Sequence, residues 1–285
     1  MRVGFLGLGV MGTPMARNLS RKFPLIVWNR SAAKYSALKE EGVTIGESPT
    51  SVVKQSDIIF IMLFDAWAIK SILSDDFKRA LRGKTLINTS SVSVEFSMSL
   101  AEQIHQGGGD FIEMPVSGSK VPAEKAQLVG MMAGDAAVAQ RIKQVVEPIT
   151  RAAIFCGPIG SGLKAKYAVN TLLVTYTVGL AESMNLARAQ GIDLAAFAEV
   201  LDACPMASAY SKIKVQKILN EDWSPQATLK DCYNSTQLIQ NAVKLANTRS
   251  PSMAICDKLY QTAVDAGLSE EDMISIAKVI ETSQI

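Results

Sequence analysis

One glycine pattern constrains this chain more than any other feature. Gly7-x-Gly9-x-x-Gly12 follows the apolar run at 3–6 and opens a stretch with Met15, Ala16 and Leu19 on one side. A second apolar run occupies 25–28. Glycines are common, so the pattern alone is weak. Strand, glycine loop, helix and second strand together are the context in which it binds a dinucleotide. There Gly7 permits a tight turn, Gly9 lets the backbone approach a pyrophosphate, and Gly12 lets the helix pack on the sheet. The phosphates are expected at the helix N-terminus, where unpaired amides and the helix dipole favour anions. Gly7, Leu8, Gly9, Val10, Met11 and Gly12 are therefore candidate cofactor contacts.

The end of the second run selects the dinucleotide. An NAD site ordinarily places Asp or Glu there for the ribose hydroxyls. This chain has Trp28-Asn29-Arg30-Ser31. No carboxylate repels a 2′-phosphate, and Arg30 is suited to pair with one through charge-assisted hydrogen bonds. Asn29 and Ser31 add neutral partners. The expected cofactor is NADP, bound as NADPH.

Beyond residue 31 the first half continues the alternation. Candidate strands lie at 3–6, 25–28, 58–63, 85–88, 111–113, 128–133 and 153–155. Candidate helices lie at 13–21, 32–41, 66–73, 94–106 and 136–146. Continuous apolar strands alternating with helices predict a parallel sheet covered on both faces, an α/β doubly wound architecture. After Gly157-Pro158-Ile159-Gly160 the strand pattern stops. Residues 162–190 carry no proline, and Leu172, Tyr176, Leu180 and Met184 recur every four positions before Gly191. That predicts one helix longer than the usual range of about 8–20 residues, fit to join two domains or to form a dimer seam. Further helices are expected at 194–203, 207–219, 230–247, 253–266 and 270–282, with Asp193 and Ser252 as caps and Ser269 with Asp272 as a capping arrangement. The expected domains are 1–161, Rossmann-type and NADP-binding, and 162–285, all-helical.

The 285 residues are numerous enough for one large or two modest cores. A net charge of +2 with dispersed Lys and Arg gives no electrostatic footprint for nucleic acid. No apolar run reaches the roughly 18 residues of a membrane span, and the N-terminus has no small-residue cleavage site. Cys156, Cys204, Cys232 and Cys256 form no Cys-x-x-Cys pair, and His105 is the one histidine, in a polar stretch that reads as surface. A Cys/His metal cluster and a His-based triad are both disfavoured. Free thiols fit a reducing, cytoplasmic setting. Met131, Met132, Met206 and Met253 read as core.

Four segments, in order, resemble the β-hydroxyacid dehydrogenase family over essentially the whole length. They are Gly4-Phe5-Leu6-Gly7-Leu8-Gly9-Val10-Met11-Gly12 with Trp28-Asn29-Arg30; Glu113-Met114-Pro115-Val116-Ser117-Gly118-Ser119-Lys120 with Pro122-Ala123-Glu124; Gly160 through Asn170; and, more weakly, Thr228-Leu229-Lys230-Asp231. The Trp-Asn-Arg and Pro-Val-Ser-Gly-Ser-Lys stretches look most like the glyoxylate/succinic semialdehyde reductase branch. The resemblance implies an N-terminal Rossmann-type domain, a C-terminal helical domain, and hydride transfer between a nicotinamide and a β-hydroxyacid or its carbonyl partner. It also implies a homodimer or homotetramer formed through the helical domain.

By the same resemblance Lys166 is the catalytic lysine and Asn170, four residues on and on the same helix face, orients substrate and lysine. Lys164 is on another face. Ser117, Gly118 and Ser119 grip the substrate carboxylate, and Lys120 adds to the anion field. Leu63, Phe64 and Asp65 end a strand at the cofactor edge, and Ser90-Ser91 matches a segment near the nicotinamide ribose, with Ser91 as the contact. One departure concerns Asn234-Ser235, which stand where relatives commonly have a Lys-Asp pair whose lysine reaches the cofactor. The loss falls on substrate identity more than on reaction type. The leading expectation is an NADPH-dependent reductase of small carboxylated aldehydes. Other readings are reduction of a different β-hydroxyacid pair or of an imine, and a nucleotide-binding module without activity. Lys166 argues against the last two, because imine reductases and the inactive modules lack that lysine.

Overall fold

Short apolar runs that are buried along their whole length can only be interior strands of a covered sheet. The computed structural model describes residues 1–282, and its strands are β1 (Val3–Leu6), β2 (Leu25–Trp28), β3 (Thr44–Ile45), β4 (Ile58–Ile61), β5 (Thr85–Asn88), β6 (Asp110–Glu113), β7 (Val116–Ser117), β8 (Leu128–Gly134) and β9 (Thr150–Gly157). Every residue of β1, β4 and β5 is buried. The strand order is 3-2-1-4-5-6-8-7, with β9 beside β8. The strands from β3 through β6 pair in parallel. β8 runs antiparallel to β6 and β7, and β9 runs parallel to β8. The sheet is thus parallel in its main part and mixed at one edge.

These strands belong to a first compact unit, residues 1–166; a second begins at Tyr167. The first unit's helices are α1 (Gly12–Ser20), α2 (Ser36–Glu40), α3 (Pro49–Lys54), α4 (Ala66–Ile72), α5 (Asp75–Ala80), α6 (Val94–Gln106), α7 (Lys120–Glu124), α8 (Ala136–Arg141) and α9 (Lys143–Val146). α6 illustrates their logic. Ser93 accepts a hydrogen bond from the Phe96 amide at 3.1 Å, and Ser97, Leu100, Ala101 and Ile104 form one buried stripe. In the core Phe5 stacks on Phe60, ring centroids 5.9 Å apart. β1 lies between β2 and β4, where the order of the strands reverses. The loops after β1 and β4 therefore open at the position where doubly wound sheets bind ligands.

α10 (Ser161–Ala189) starts in the first unit and continues into the second. There it is followed by α11 (Leu194–Ala203), α12 (Ala209–Leu219), α13 (Leu229–Leu245), α14 (Pro251–Asp265) and α15 (Ile276–Thr282). Gly191 takes a φ of +77° after α10, and Asp193 caps α11 through the Ala196 amide at 2.8 Å. α12 is tied down by a buried pair. Lys214 Nζ lies 2.6 Å from Asp272 Oδ1, and Asp272 also accepts from the amides of Gln226 and Ile274.

Several sequence expectations need correction. The helix expected over 32–41 is a 3₁₀ turn at Ala32–Lys34 and then α2, and the one over 136–146 divides into α8 and α9. The last, over 270–282, is a 3₁₀ turn and then α15. Ser250 rather than Ser252 precedes α14, and Asp272 caps the 3₁₀ turn rather than joining Ser269 in a capping pair. Met206 is exposed, in the loop whose carbonyl accepts from the Tyr176 hydroxyl, whereas Met131, Met132 and Met253 are buried as expected. Leu172, taken for the apolar stripe of α10, is also exposed. His105 is on the surface, and the four cysteines are free. Among the described residues no helix is long and apolar enough to cross a membrane.

Candidate active site

The loop after β1 is shaped by its glycines in three different ways. Gly7 has a φ of +105°, and a Cβ there would lie 2.2 Å from the Met62 carbonyl. A Cβ on Gly12 would lie 1.9 Å from the Gly7 carbonyl, so loop and helix meet backbone to backbone. Gly9 is the opposite case: nothing lies within 4 Å of its missing Cβ, and Val10 beside it is exposed. Leu8 is buried and fixes the loop from below. Met11 precedes α1 without a side-chain cap, so no side chain claims the first-turn amides. A bare backbone, an open Gly9 and an uncapped helix start fit a pyrophosphate.

Asn29, at the end of β2, has a second duty that its sequence position did not reveal. Its Oδ1 accepts from the Leu8 amide at 2.9 Å, and its Nδ2 donates to the Ser31 carbonyl at 3.0 Å. The Tyr35 hydroxyl holds its backbone at 2.8 and 2.6 Å. Asn29 therefore braces the phosphate loop. Arg30 and Ser31 are exposed, and among the described residues no carboxylate forms an ion pair with Arg30.

The ends of β4 and β5 are joined by a hydroxyl. Ser90 is buried, and its Oγ accepts from the Leu63 amide at 2.9 Å. Asn88 Oδ1 in turn accepts from the Ser90 amide. Ser91 is half-buried and thus the more accessible of the two serines. Phe64 is half-exposed, and Asp65 caps α4. After β6, Ser117 lies in β7, Gly118 has a φ of +129°, and Ser119 precedes α7 without capping it. Among the described residues neither serine hydroxyl makes a hydrogen bond, which leaves both able to meet a carboxylate. Lys120 is exposed, 3.9 Å from Glu124.

Lys166 is nine-tenths buried near the start of α10, whereas Lys164 is exposed. Burial pushes the Lys166 amine down to about 8. Asn170, one turn on, is also buried, and its Nδ2 donates to Ser235 Oγ at 3.3 Å. The Ser235 hydroxyl gives its own proton to the Asp231 carbonyl at 3.0 Å, so it must accept from Asn170. That fixes the amide orientation and leaves Asn170 Oδ1 buried without a partner among the described residues. At Asn234-Ser235 the group that meets Asn170 is thus the neutral Ser235 hydroxyl.

One more group lies at the start of α10. Glu113 is wholly buried and accepts from Ser97 Oγ at 2.5 Å, from the Gly160 amide at 3.1 Å and from the Leu163 amide at 2.8 Å. Burial raises its pKa, and these donors together with the Gly162 amide pull it back. In the sequence Glu113 is one acid within a motif; the only signal of its role was its place at a strand end directly before the Ser-Gly-Ser segment.

Two family models match the chain: the NAD binding domain of 6-phosphogluconate dehydrogenase over residues 2–157, and the NAD-binding domain of NADP-dependent 3-hydroxyisobutyrate dehydrogenase over 160–280. Glyoxylate/succinic semialdehyde reductase 1 of Arabidopsis thaliana is 31% identical over 293 residues, covering all of both chains. The 2-hydroxy-3-oxopropionate reductase of Escherichia coli is 28% identical, covering 99% of this chain and 97% of that protein. The crystal structure of a 3-hydroxyisobutyrate dehydrogenase from Salmonella typhimurium superposes with a TM-score of 0.91 at 22% identity, covering 98% of this chain and 99% of its own.

Proposed function

The chain belongs to the 3-hydroxyisobutyrate dehydrogenase-like branch of the β-hydroxyacid dehydrogenases, NAD(P)-dependent oxidoreductases acting on CH–OH groups, and from that premise we propose that it is an NADPH-dependent reductase of small carboxylated aldehydes of the glyoxylate or succinic semialdehyde type. The observation that carries this reading is the buried Lys166 amine, held at about 8. An amine in that range is mostly protonated at neutral pH yet gives up its proton readily.

When bound, the reduced nicotinamide supplies the hydride that reaches the carbonyl carbon. The chain supplies the rest. The loop of Gly7 to Gly12 and the start of α1 hold the pyrophosphate. Arg30 and Ser31 meet the 2′-phosphate, while Asn29 keeps the loop in place. Leu63, Phe64 and Ser91 line the nicotinamide side, with Ser90 locking Leu63. Ser117, Gly118 and Ser119 hold the substrate carboxylate. The Lys166 ammonium hydrogen-bonds the carbonyl oxygen, stabilises the charge that develops there, and transfers the Nζ proton to complete the hydroxyl. Asn170 Oδ1, left without a partner, accepts a hydrogen bond from the bound substrate or from the lysine. In the reverse direction the neutral amine takes the proton.

The test is NADPH oxidation by the purified protein with a panel of carboxylated aldehydes, beside the corresponding uncharged aldehydes. Turnover confined to the carboxylated members is expected. No turnover of any of them would sink the reading.

A further inference from the structure

Glu113 takes no part in the chemistry above, yet it is the most completely enclosed carboxylate of the first unit. A buried carboxylate is expensive unless hydrogen bonds surround it. Here three of its donors are backbone amides of one turn, those of Gly160, Gly162 and Leu163, at the start of α10. The first amides of a helix have no partners within it. Most helices satisfy one of them with a Ser, Thr or Asp of the adjoining residues, as Ser93 does for α6. α10 instead takes its cap from the end of β6, 47 and 50 positions earlier in the chain.

The approach has been made possible by the absence of side chains. A Cβ on Gly162 would lie 2.4 Å from the Met131 carbonyl and 3.0 Å from Glu113 Oε1, and Gly160 sits at a φ of +94°. Ser97, from the buried stripe of α6, donates to Oε2, the oxygen that also accepts from the Gly160 amide, while Oε1 accepts from Leu163. Strand end, α6 and the first turn of α10 are thus locked on one charged group. Lys166 follows that turn directly, and Ser117 to Ser119 follow the strand end.

We propose that Glu113 is a positioning residue for Lys166: it clamps the first turn of α10 to the strand end that carries Ser117, Gly118 and Ser119, and so sets where the amine stands relative to the carboxylate-binding segment. The proposal rests on the roles given above to Lys166 and the Ser-Gly-Ser segment.

Glu113→Gln in the full chain keeps the size of the side chain but turns an amide N–H₂ toward the helix amides. Amide exchange over residues 160–166 is expected to quicken, and kcat to fall, each by about tenfold or more, the size of one lost hydrogen bond to a charged group. The KM and Kd for NADPH are expected to stay within about twofold, because the lost contact serves only the chemical step. A residue that merely held the fold together would move cofactor affinity along with kcat. Ser97→Ala removes one donor and is expected to give the same pattern at smaller size, which covers the case in which Glu113→Gln does not fold. Unchanged exchange at 160–166, or faster exchange with unchanged kcat, overturns the proposal. If the wild-type chain reduces no carboxylated aldehyde, the functional reading fails by itself. The clamp is then read by acetic anhydride labelling of Lys166 against exposed Lys164, followed by peptide mass spectrometry. A labelling ratio raised by about threefold in the variant supports local loosening of this turn, and an unchanged ratio overturns it.

Discussion

A lysine whose amine sits at about 8 makes the direction of catalysis depend on pH. In the proposed mechanism reduction needs the ammonium, so kcat for aldehyde reduction should be flat below neutrality and fall as pH rises through about 8. Oxidation of the hydroxyacid needs the neutral amine and should show the mirror image. Steady-state profiles in both directions check this, and limbs placed near the ordinary lysine range would contradict it. Lys166→Ala should remove both limbs and lower kcat by at least about two orders of magnitude, the range of general acid–base catalysis, while NADPH still binds in a fluorescence titration. Arg30→Asp should move the ratio of kcat/KM for NADPH and NADH toward NADH, since on the proposed reading it exchanges a phosphate partner for a ribose partner. An unmoved ratio would remove Arg30 from cofactor choice. Lys166 and Arg30 could be singled out in the sequence because each stands inside a motif with a fixed offset. Glu113 and Ser90 were not, since their partners, Gly160 to Leu163 and Leu63, reach them only through the fold.

At the scale of elements, two junctions should be sensitive to single substitutions. Gly162→Ala would force a methyl group onto the Met131 carbonyl where α10 begins. A cost of about 1–3 kcal/mol is expected from overpacking, read as a lower midpoint in urea. In the second unit Asp272→Ala would strand the buried Lys214 ammonium and free the Gln226 and Ile274 amides. Breaking one side of such a pair costs about 3–5 kcal/mol, and a shift in the denaturation midpoint near zero would show that the pair contributes nothing. The long elements were legible for the same reason that they are stable. β1, β2 and β4 are unbroken runs without a polar side chain, and α6 has a periodic stripe with a serine before it. The two-residue strands β3 and β7 pair by position alone, without a pattern of their own. α3 and α5, of six residues each, are too short to show a period, although Ser48 and Ser74 cap them.

For the molecule as a whole, the second unit leaves Leu172, Leu186, Val200 and Ile255 largely exposed. Contiguous apolar surface marks an association face; with these four side chains as candidates for one, light scattering is expected to give at least twice the mass of one chain. A monomer at micromolar concentration would refute this. No count of residues in the sequence could say which of these side chains the fold leaves exposed. The sheet has a consequence of a different kind. Every segment assigned to a ligand in the first unit, from Gly7 through Asn29, Leu63 and Ser91 to Ser117, lies past the end of one of the strands β1, β2, β4, β5 and β6, while β1, β4 and β5 themselves are closed to solvent. Selection, natural or in the laboratory, therefore has two separate alphabets to work with. Libraries confined to these five loops can retune what the protein accepts while the interior that makes it fold stays untouched.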